Sequence, residues 1–237
     1  MTRQLGARVS PEAGLAGAVA ILPTGACEAH GPHLPLDTDV RIAVAMAEGA
    51  AARLANAVVL PPLTYGIAKF ARNFPGTLSI PAELVTGWVT EVLCAAHAAG
   101  ARGLAVANAH LEPAQVDALF AACEQVKART GVAVAFPNVG SKRNAERLAA
   151  RVAPLDGHAG LYETALVLAV SPDRVVGHTR LADVEASLAA GIRAGATCFE
   201  EAGGPDGYFG TPGKATAAIG DALLDELAAI LVEAMQA

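Results

Sequence analysis

The segment "CEAHGPHLPLDTD", residues 27–39, concentrates possible metal ligands in an otherwise apolar, alanine-rich chain. It holds two of the six histidines, and its proline and glycine content disfavours a helix. Glu28 and His30 are separated by one residue, so both side chains point the same way in an extended segment. These residue types at this spacing indicate a metal-binding loop. A solvated surface loop is the alternative that the segment alone leaves open.

The segment "NAHLEP", residues 108–113, has the same combination of a histidine and a glutamate two residues apart, His110 and Glu112. Two loops therefore each offer one imidazole and one carboxylate. Asp39 closes the first segment and could lie between two ions, because a carboxylate has two oxygen atoms. On the residues alone, Asp37 could take that position instead. Mixed nitrogen and oxygen ligands suit Zn²⁺, Mn²⁺ or Fe²⁺ better than Ca²⁺.

A third segment, "DGHAGLYET" at residues 156–164, places His158 and Glu163 in a glycine-containing loop that opens a helix. Two bridged metals would acidify a shared water to hydroxide and polarise a carbonyl, which is chemistry for hydrolysis. His158 could protonate a leaving nitrogen, and Glu163 could orient it or the water. Taken alone, Glu163 could also be an ordinary first-turn carboxylate, and His110 a hydrogen-bonded residue at a strand end.

The elements that must position these residues alternate between strands and helices. Strands are predicted at residues 17–25, 57–63, 102–110 and 131–136, and helices at 40–56, 81–99, 113–130 and 215–235. Ser79 is a possible cap for the second helix. This alternation predicts an α/β fold with a parallel sheet covered by helices on both faces.

Ligands of such sheets gather beyond the carboxyl ends of the strands. The loops at residues 24–39, 64–79 and 109–113 should therefore lie along one rim. The last helix has an apolar stripe that packs either on the sheet or on a partner subunit. That stripe consists of Ile219, Leu223, Leu227, Ile230 and Leu231.

Composition excludes several classes of protein. The 237 residues fit one domain (residues 1–237), with 53% apolar residues and a net charge of −6. No basic block is present, so nucleic acid is not an expected partner. No apolar run approaches the roughly 20 residues that cross a bilayer, and no secretory leader is recognised. The cysteines are scattered without a CxxC pair, which fits a reducing cytoplasm better than a disulfide framework. They are Cys27, Cys94, Cys123 and Cys198.

Three histidines are assigned other roles. His97 lies near the predicted end of a helix, where a structural role is expected because a cation is favoured at that end. His33 lies inside the first segment and is predicted to support the ligands by hydrogen bonding rather than to bind metal. His178, in "VVGHTR", has no recognisable companion.

Four blocks of the chain together resemble the creatininase (creatinine amidohydrolase) family. They are "LPTGACEAHGPHLPLDTD", "FPGTLS", "NAHLEP" and "GHAGLYETAL", in this order from Leu22 to Leu166. The resemblance implies a three-layer α/β/α sandwich with a mostly parallel central sheet. It also implies a two-metal site, hydrolysis of amide-type C–N bonds, and a homo-oligomer that is often a hexamer.

The resemblance also implies roles for individual residues. Glu28 and His110 would hold one metal, His30 and Glu112 the other, and Asp39, rather than Asp37, would bridge them. His158 and Glu163 match the catalytic histidine of the family and its companion glutamate. Glu112 would serve both as a ligand and in catalysis. Many relatives have "NGHGGN" in place of "NAHLEP", so Glu112 places this chain nearer the branch with a full dinuclear ligand set.

Creatinine itself is not the expected substrate. The creatinine-hydrolysing members cover their site with loop tryptophans, whereas Trp88, the only tryptophan here, falls in a predicted helix. Pro154 stands about where one such tryptophan would be. The loop between Tyr65 and Phe74 is also shorter than in those members, which removes positions that contact substrate.

The first hypothesis is therefore a dinuclear metal hydrolase that acts on a small amide, cyclic amide or formamide through a metal-bridging hydroxide. Relatives in the family include a peptidase that trims a peptide precursor, so a metallopeptidase of the same fold is the second hypothesis. A non-catalytic ligand-binding relative is the third. Such a protein would be expected to lack a ligand, and here all five expected positions are filled.

Overall fold

Four short apolar segments form a parallel sheet in the computed structural model, which describes residues 3–152 and 157–236. Within these residues the strands are β1 (Val19–Thr24), β2 (Ala57–Val59), β3 (Gly103–Asn108) and β4 (Val134–Ala135), in the spatial order β2-β1-β3-β4. β1 runs parallel to both of its neighbours, and β3 is parallel to β4. All strands therefore end at the same edge of the sheet.

Seven α-helices accompany the sheet in the described residues. They are α1 (Thr38–Ala52), α2 (Ala82–Ala98), α3 (Pro113–Thr130), α4 (Lys142–Ala149), α5 (Leu161–Val170), α6 (Leu188–Arg193) and α7 (Ala217–Gln236). Three of them, α1 to α3, each follow one of the first three strands in the chain.

Alternating strand residues divide the core into two layers. Ala20 and Leu22 of β1 join the apolar cluster that contains α2 and α3, whereas Ile21 between them joins the cluster of α1, α5 and α7. This follows from the two-residue period of a strand, which sends successive side chains to opposite faces. The predicted three-layer α/β/α sandwich with a parallel central sheet is confirmed.

Most predicted elements are present, with shorter strands than expected. The second strand was predicted to reach residue 63 but ends at Val59, ahead of Pro61 and Pro62, which have no N–H to donate to a ladder. The fourth strand shortens to two residues. Ser79 does not cap α2, because its Oγ accepts a hydrogen bond from the backbone N–H of Ala68 instead.

The apolar stripe of α7 packs inside the chain, in one cluster with Ile21 and Ala105 of the sheet and with residues of α1 and α5, so the sheet alternative holds and the partner-subunit alternative does not. The short helices α4 and α6 were not predicted. Among the described residues, no helix combines the length and the apolar character that crossing a membrane would require.

Candidate metal centre

The carboxyl edge of the sheet brings six of the predicted residues together in a buried site. Glu28 and His30 follow β1, and His110 and Glu112 follow β3. Asp39 lies in the first turn of α1, and Glu163 in the first turn of α5. All six side chains are buried, although the chain reaches this edge from four separate elements. The predicted rim is therefore where the ligand-type residues converge.

A first cluster consists of Glu28, His110 and Glu112. One potential ligand atom from each lies within 4.8 Å of those of the other two. The Nδ1 atom of His110 is 3.2 Å from Oε2 of Glu28. Oε2 of Glu112 also accepts a hydrogen bond from the backbone N–H of Lys69, at 2.7 Å. This fixes the carboxylate of Glu112 against the loop that follows β2.

A second cluster consists of His30, Asp39 and Glu163, again within 4.8 Å of one another. The Nε2 atom of His30 is 3.3 Å from Oδ1 of Asp39 and 3.8 Å from Oε2 of Glu163. The other oxygen of Asp39, Oδ2, is 3.1 Å from Nδ1 of His110 in the first cluster. Asp39 therefore lies between the two clusters, one oxygen facing each.

Asp37 is not an alternative to Asp39. Its side chain is 51% exposed, and its Oδ1 accepts a hydrogen bond from Nε of Arg41, at 2.7 Å. Asp39 lies two residues further, inside the first turn of α1, and is 1% exposed. Of the two carboxylates, only Asp39 reaches the clusters.

The two clusters group these side chains differently from the pairing that the family resemblance implies for individual ions, and that pairing stays a prediction. The family resemblance pairs His30 with Glu112, but in the structure Glu112 groups with Glu28 and His110. Glu163, expected as a companion of the catalytic histidine, takes the place beside His30. Glu163 lies on α5, which packs against α1, the helix that carries Asp39.

Backbone contacts orient both imidazoles. Nδ1 of His30 is 3.0 Å from the backbone carbonyl oxygen of Glu28, two residues earlier, so Nε2 faces the second cluster. Nε2 of His110 is 2.6 Å from the carbonyl oxygen of Ile67, so Nδ1 faces the first. The side chain of Asn108 donates to the carbonyl oxygen of His110 at 2.6 Å. Such outer contacts fix the ring orientation and the tautomer of a metal-binding histidine.

The buried polar atoms of the clusters fit divalent cations. Glu28 Oε2, His30 Nε2 and Asp39 Oδ2 have no hydrogen-bond partner within the described parts of the chain. Buried groups of this kind cost free energy unless they are paired or bind a metal. Two imidazoles and four carboxylates form the mixed donor set that Zn²⁺, Mn²⁺ or Fe²⁺ accepts.

The electrostatics of the clusters also favour added positive charge. Burial disfavours the charged form of His30, yet the facing carboxylates, Asp39 first, outweigh burial and raise its pKa to about 10. The pKa of His110 rises for the same reason, through Glu28 and Asp39. Burial raises the pKa of Glu163 to about 7. In the absence of a metal, His30, His110 and Glu163 therefore bind protons more strongly than usual, because several buried carboxylates lie close together.

His158 lies directly above the second cluster. Its ring is 4.2 Å from the ring of His30, centroid to centroid, and stacks on Phe199 at 4.3 Å. Its Nε2 is 2.8 Å from the carbonyl oxygen of Ala29, and its Nδ1 is 3.9 Å from Oε2 of Glu163. Burial, together with the charge of His30, lowers the pKa of His158 to about 4. The ring is therefore neutral, with the Nε2 hydrogen donated to the carbonyl.

Ala159 connects His158 to α5 in a strained conformation. Its φ of 52° makes it the only non-glycine residue with a positive φ in residues 3–152 and 157–236. Its backbone N–H donates to Oε2 of Glu163 at 2.6 Å. Strained backbone of this kind occurs at functional sites, where the surrounding structure holds it. In this conformation the backbone N–H of Ala159 points at Glu163, and His158 lines the cavity.

The other singled-out histidines lie outside the clusters. Nε2 of His33 is 2.9 Å from Oγ1 of Thr164, so His33 ties the first loop to α5, as a supporting residue would. His97 lies in the last turn of α2, where its Nδ1 is 3.2 Å from the carbonyl oxygen of Ala101. His178 begins a short 3-10 turn. Trp88 lies on α2 and is 40% exposed, away from the site, and Pro154 lies outside the described residues.

A cavity of about 230 Å³ opens above the two clusters. Its floor includes Glu28, His110, Glu112, His158 and Glu163. Its sides include five apolar residues, termed here the apolar wall. They are Val139, Leu148 of α4, Leu188 and Ile192 of α6, and Phe199. A buried site with ligands below and apolar sides can exclude water from a bound small molecule.

No chemical motif in the sequence indicates most of the apolar wall. Val139 and Leu148 precede His158 in the chain, whereas Leu188, Ile192 and Phe199 follow it. These three lie in a region without a chemical motif, more than 20 residues after Glu163. Only an aromatic residue such as Phe199 in a chain with 4% aromatics offered a signal.

Comparison with known proteins matches nearly the whole chain to one family. The family model described as Creatininase, creatinine amidohydrolase, matches residues 10–235. A mycofactocin precursor peptide peptidase of Mycobacterium ulcerans (strain Agy99) is 34% identical over 218 residues, which cover 87% of this chain and 80% of that protein. A creatinine amidohydrolase of Pseudomonas putida is 31% identical over 181 residues, or 68% of this chain and 69% of that protein.

Solved structures show the same fold. A mutant creatininase described as Zn-Zn type superposes with a TM-score of 0.81 at 22% sequence identity, covering all of this chain and 98% of the other. At this level of identity the likeness concerns the fold.

Proposed function

Because the chain belongs to the creatininase family and is a hydrolase, we propose that it is a dinuclear metal-dependent amidohydrolase. It would cleave a C–N bond of a small amide, cyclic amide or formamide. The observation that carries this proposal is the position of Asp39, which turns one carboxylate oxygen toward each of two buried ligand clusters. A carboxylate between two donor sets is suited to bridge two cations.

The residues of the two clusters would hold the metals. Glu28, His110 and Glu112 would bind one ion, and His30 and Glu163 the other, with Asp39 shared. When bound, two such ions supply Lewis acidity, which lowers the pKa of water and polarises a carbonyl group. The cavity above the clusters leaves space for an amide at this position.

His158 would move the proton that amide cleavage requires. Its Nε2 hydrogen is engaged by the carbonyl oxygen of Ala29, so the free Nδ1 lone pair is the atom that can accept a proton. A neutral imidazole cannot donate from that atom until it has first taken a proton. His158 therefore takes one from the attacking water and passes it to the leaving nitrogen from the same Nδ1.

Stacking and strain hold His158 in place for this transfer. Phe199 covers one side of the imidazole ring, and the rings are nearly parallel, with an interplanar angle of 25°. The backbone of Ala159 fixes the position of the ring relative to Glu163. A proton-transfer group that is held in one orientation, in a site with little water, stays in the geometry that the transfer requires.

A second candidate is a metallopeptidase that trims the end of a peptide. It is favoured by the mycobacterial relative, which is named a peptide peptidase and aligns with 87% of this chain. Peptide and small-amide hydrolysis use the same attack on a carbonyl carbon, so the clusters serve either substrate. Assays of small amides and short peptides with one enzyme preparation would separate the two candidates.

The test is metal content combined with turnover. Protein purified without chelator or a metal-binding tag is examined by elemental mass spectrometry, and about two equivalents of Zn, Mn or Fe per chain are expected. Asp39→Ala should lose both the metals and the hydrolysis of amides. Asp37→Ala is the matched control, since Asp37 is exposed and pairs with Arg41. Unchanged turnover in Asp39→Ala would refute the proposal.

A further inference from the structure

We propose that the cavity selects amides whose substituent is neutral and apolar, and that Leu148, Ile192 and Phe199 determine this preference. The inference rests on the proposed function and specifies its substrate class. It concerns the part of the substrate beyond the scissile bond, which the metal clusters do not contact. The composition of the apolar wall carries it.

The apolar wall presents hydrocarbon from three separate parts of the chain. Leu148 is fully buried on α4, Ile192 is half-buried on α6, and Phe199 is 3% exposed. Phe199 belongs to an aromatic group with Phe70, Phe74 and Phe209, which holds it against the cavity. Contact with such a surface favours apolar groups in proportion to the area that they remove from water.

Charge on the substituent would find no partner there. The ionisable side chains that line the described part of the cavity are carboxylates and histidines of the clusters, together with His158 and Tyr162. No lysine or arginine is among the described lining residues. The cluster carboxylates would be bound to the metals on the floor of the cavity. A carboxylate at the far end of the substituent would therefore face the apolar wall without a counter-charge, and an ammonium group there would lie on hydrocarbon. Both arrangements are costly.

The volume sets the size of the substituent. An apolar cavity of about 150 Å³ accommodates benzene. The present cavity, at about 230 Å³, holds a group of that size together with the amide itself. A branched or straight aliphatic chain of four or five carbons, or a phenyl ring, would fill it. Larger substrates would extend through the open side, beside the exposed Leu111.

The experiment separates binding of the substituent from catalysis. The probes are hydroxamates of pentanoic, succinic and 4-aminobutanoic acid, which share one metal-binding head and differ in the end of the tail. Their affinities for metal-loaded protein are measured by calorimetry. We expect the pentanoic probe to bind at least about tenfold more tightly than either charged probe. The corresponding primary amides are assayed in parallel for release of ammonia.

Variants on α6 test the named residues. Ile192→Lys should weaken the pentanoic probe and strengthen the succinic probe at least about tenfold relative to wild type, because a cation then faces the tail. Ala190→Lys places the same charge on an exposed position of α6 that does not line the cavity, and should change neither affinity. Retained metal content and circular dichroism identify folded variants.

The outcomes bear on different claims. Equal affinities of the three probes, a preference for a charged tail, or no binding of any probe would overturn the inference, whatever the variants do. If the preference holds but no amide is hydrolysed by protein that carries two metal equivalents, the proposed function fails and the apolar selection stands.

Discussion

The ligand clusters and the apolar wall border the same cavity but are held by different means. The clusters lie at the ends of β1 and β3, the two central strands, where buried side chains and backbone contacts fix each ligand. The wall relies on α4 and α6, helices of eight and six residues that lie outside the sheet. The comparison indicates that the edge of the sheet positions the candidate metal ligands. The proposed substrate preference depends instead on short helices outside the sheet.

The largest expected effect concerns Glu163 in the second cluster. Glu163→Gln should lose one of the two metal equivalents and lower kcat/KM more than about 100-fold, since even outer-shell partners are worth about 10–100-fold in metal affinity. Elemental mass spectrometry and an amide assay measure both. Glu83→Gln is a matched control, because Glu83 is an exposed carboxylate in the first turn of α2. Two retained equivalents in Glu163→Gln would show that Glu163 is a first-turn carboxylate only.

A smaller effect is expected at Gly25, whose backbone packs closely against Asp39 and Val40. A Cβ added at Gly25 would lie 2.6 Å from the backbone nitrogen of Val40 and 2.8 Å from Cβ of Asp39. Gly25→Ala should therefore cost about 1–3 kcal/mol of stability, the range for overpacking, and should also weaken metal binding. Denaturant unfolding and metal titration measure the two effects.

Gly87 provides the contrasting glycine. It lies in the middle of α2, and a Cβ there would have no neighbour within 4 Å. Gly87→Ala should stabilise the protein by about 0.5–1 kcal/mol, because alanine loses less backbone freedom on folding. If Gly25→Ala behaved in the same way, the close packing between the loop after β1 and α1 would not be what positions Asp39.

Much of the ligand side could be predicted because four of the six candidate ligands lie in short motifs that directly follow an apolar strand. The alternation of strands and helices predicts that the loops after β1 and β3 share an edge, which brings His30 and His110 near one another. The choice of Asp39 over Asp37 needed the resemblance or the structure. Helical phase alone does not tell which carboxylate faces inward when the helix boundary is uncertain by two residues.

The apolar wall could not be predicted, since its residues are ordinary hydrophobic residues with no spacing that identifies them. Ile192 of the short helix α6 and Phe199 both line the cavity, and Phe199 is held there by long-range packing that no local pattern encodes. The same limit applies to the grouping of Glu163 with His30, which depends on how α5 approaches α1. Cytoplasmic location and assembly into a homo-oligomer stay predictions.

An effect smaller than those at Glu163 and Gly25 is expected where the wall is attached to α7. Glu226 of α7 is 7% exposed and accepts hydrogen bonds from Nε of Arg147, at 2.7 Å, and from Nη2 of Arg151, also at 2.7 Å. The two arginines flank Leu148 at the end of α4, so Glu226 fixes the helix that carries this wall residue. Glu226→Gln should cost about 1–2 kcal/mol of stability, because hydrogen bonds to charged groups are worth about 1.5–3 kcal/mol and these arginines are partly exposed.

The pH dependence of this effect identifies the interaction. Hydrogen bonding from Arg151, and then from Arg147, lowers the pKa of Glu226 below its ordinary value of 4.5. A lowered folded-state pKa means that the stabilisation is present above pH 4.5 and disappears as the pH falls through the folded value. The stability difference between wild type and Glu226→Gln should therefore be constant near neutral pH and shrink in acid. Glu233→Gln is the control, since Glu233 also binds Arg147 but is half exposed, and its effect should be much smaller. A difference that persists unchanged in acid would show that packing, rather than the carboxylate, attaches α4 to α7.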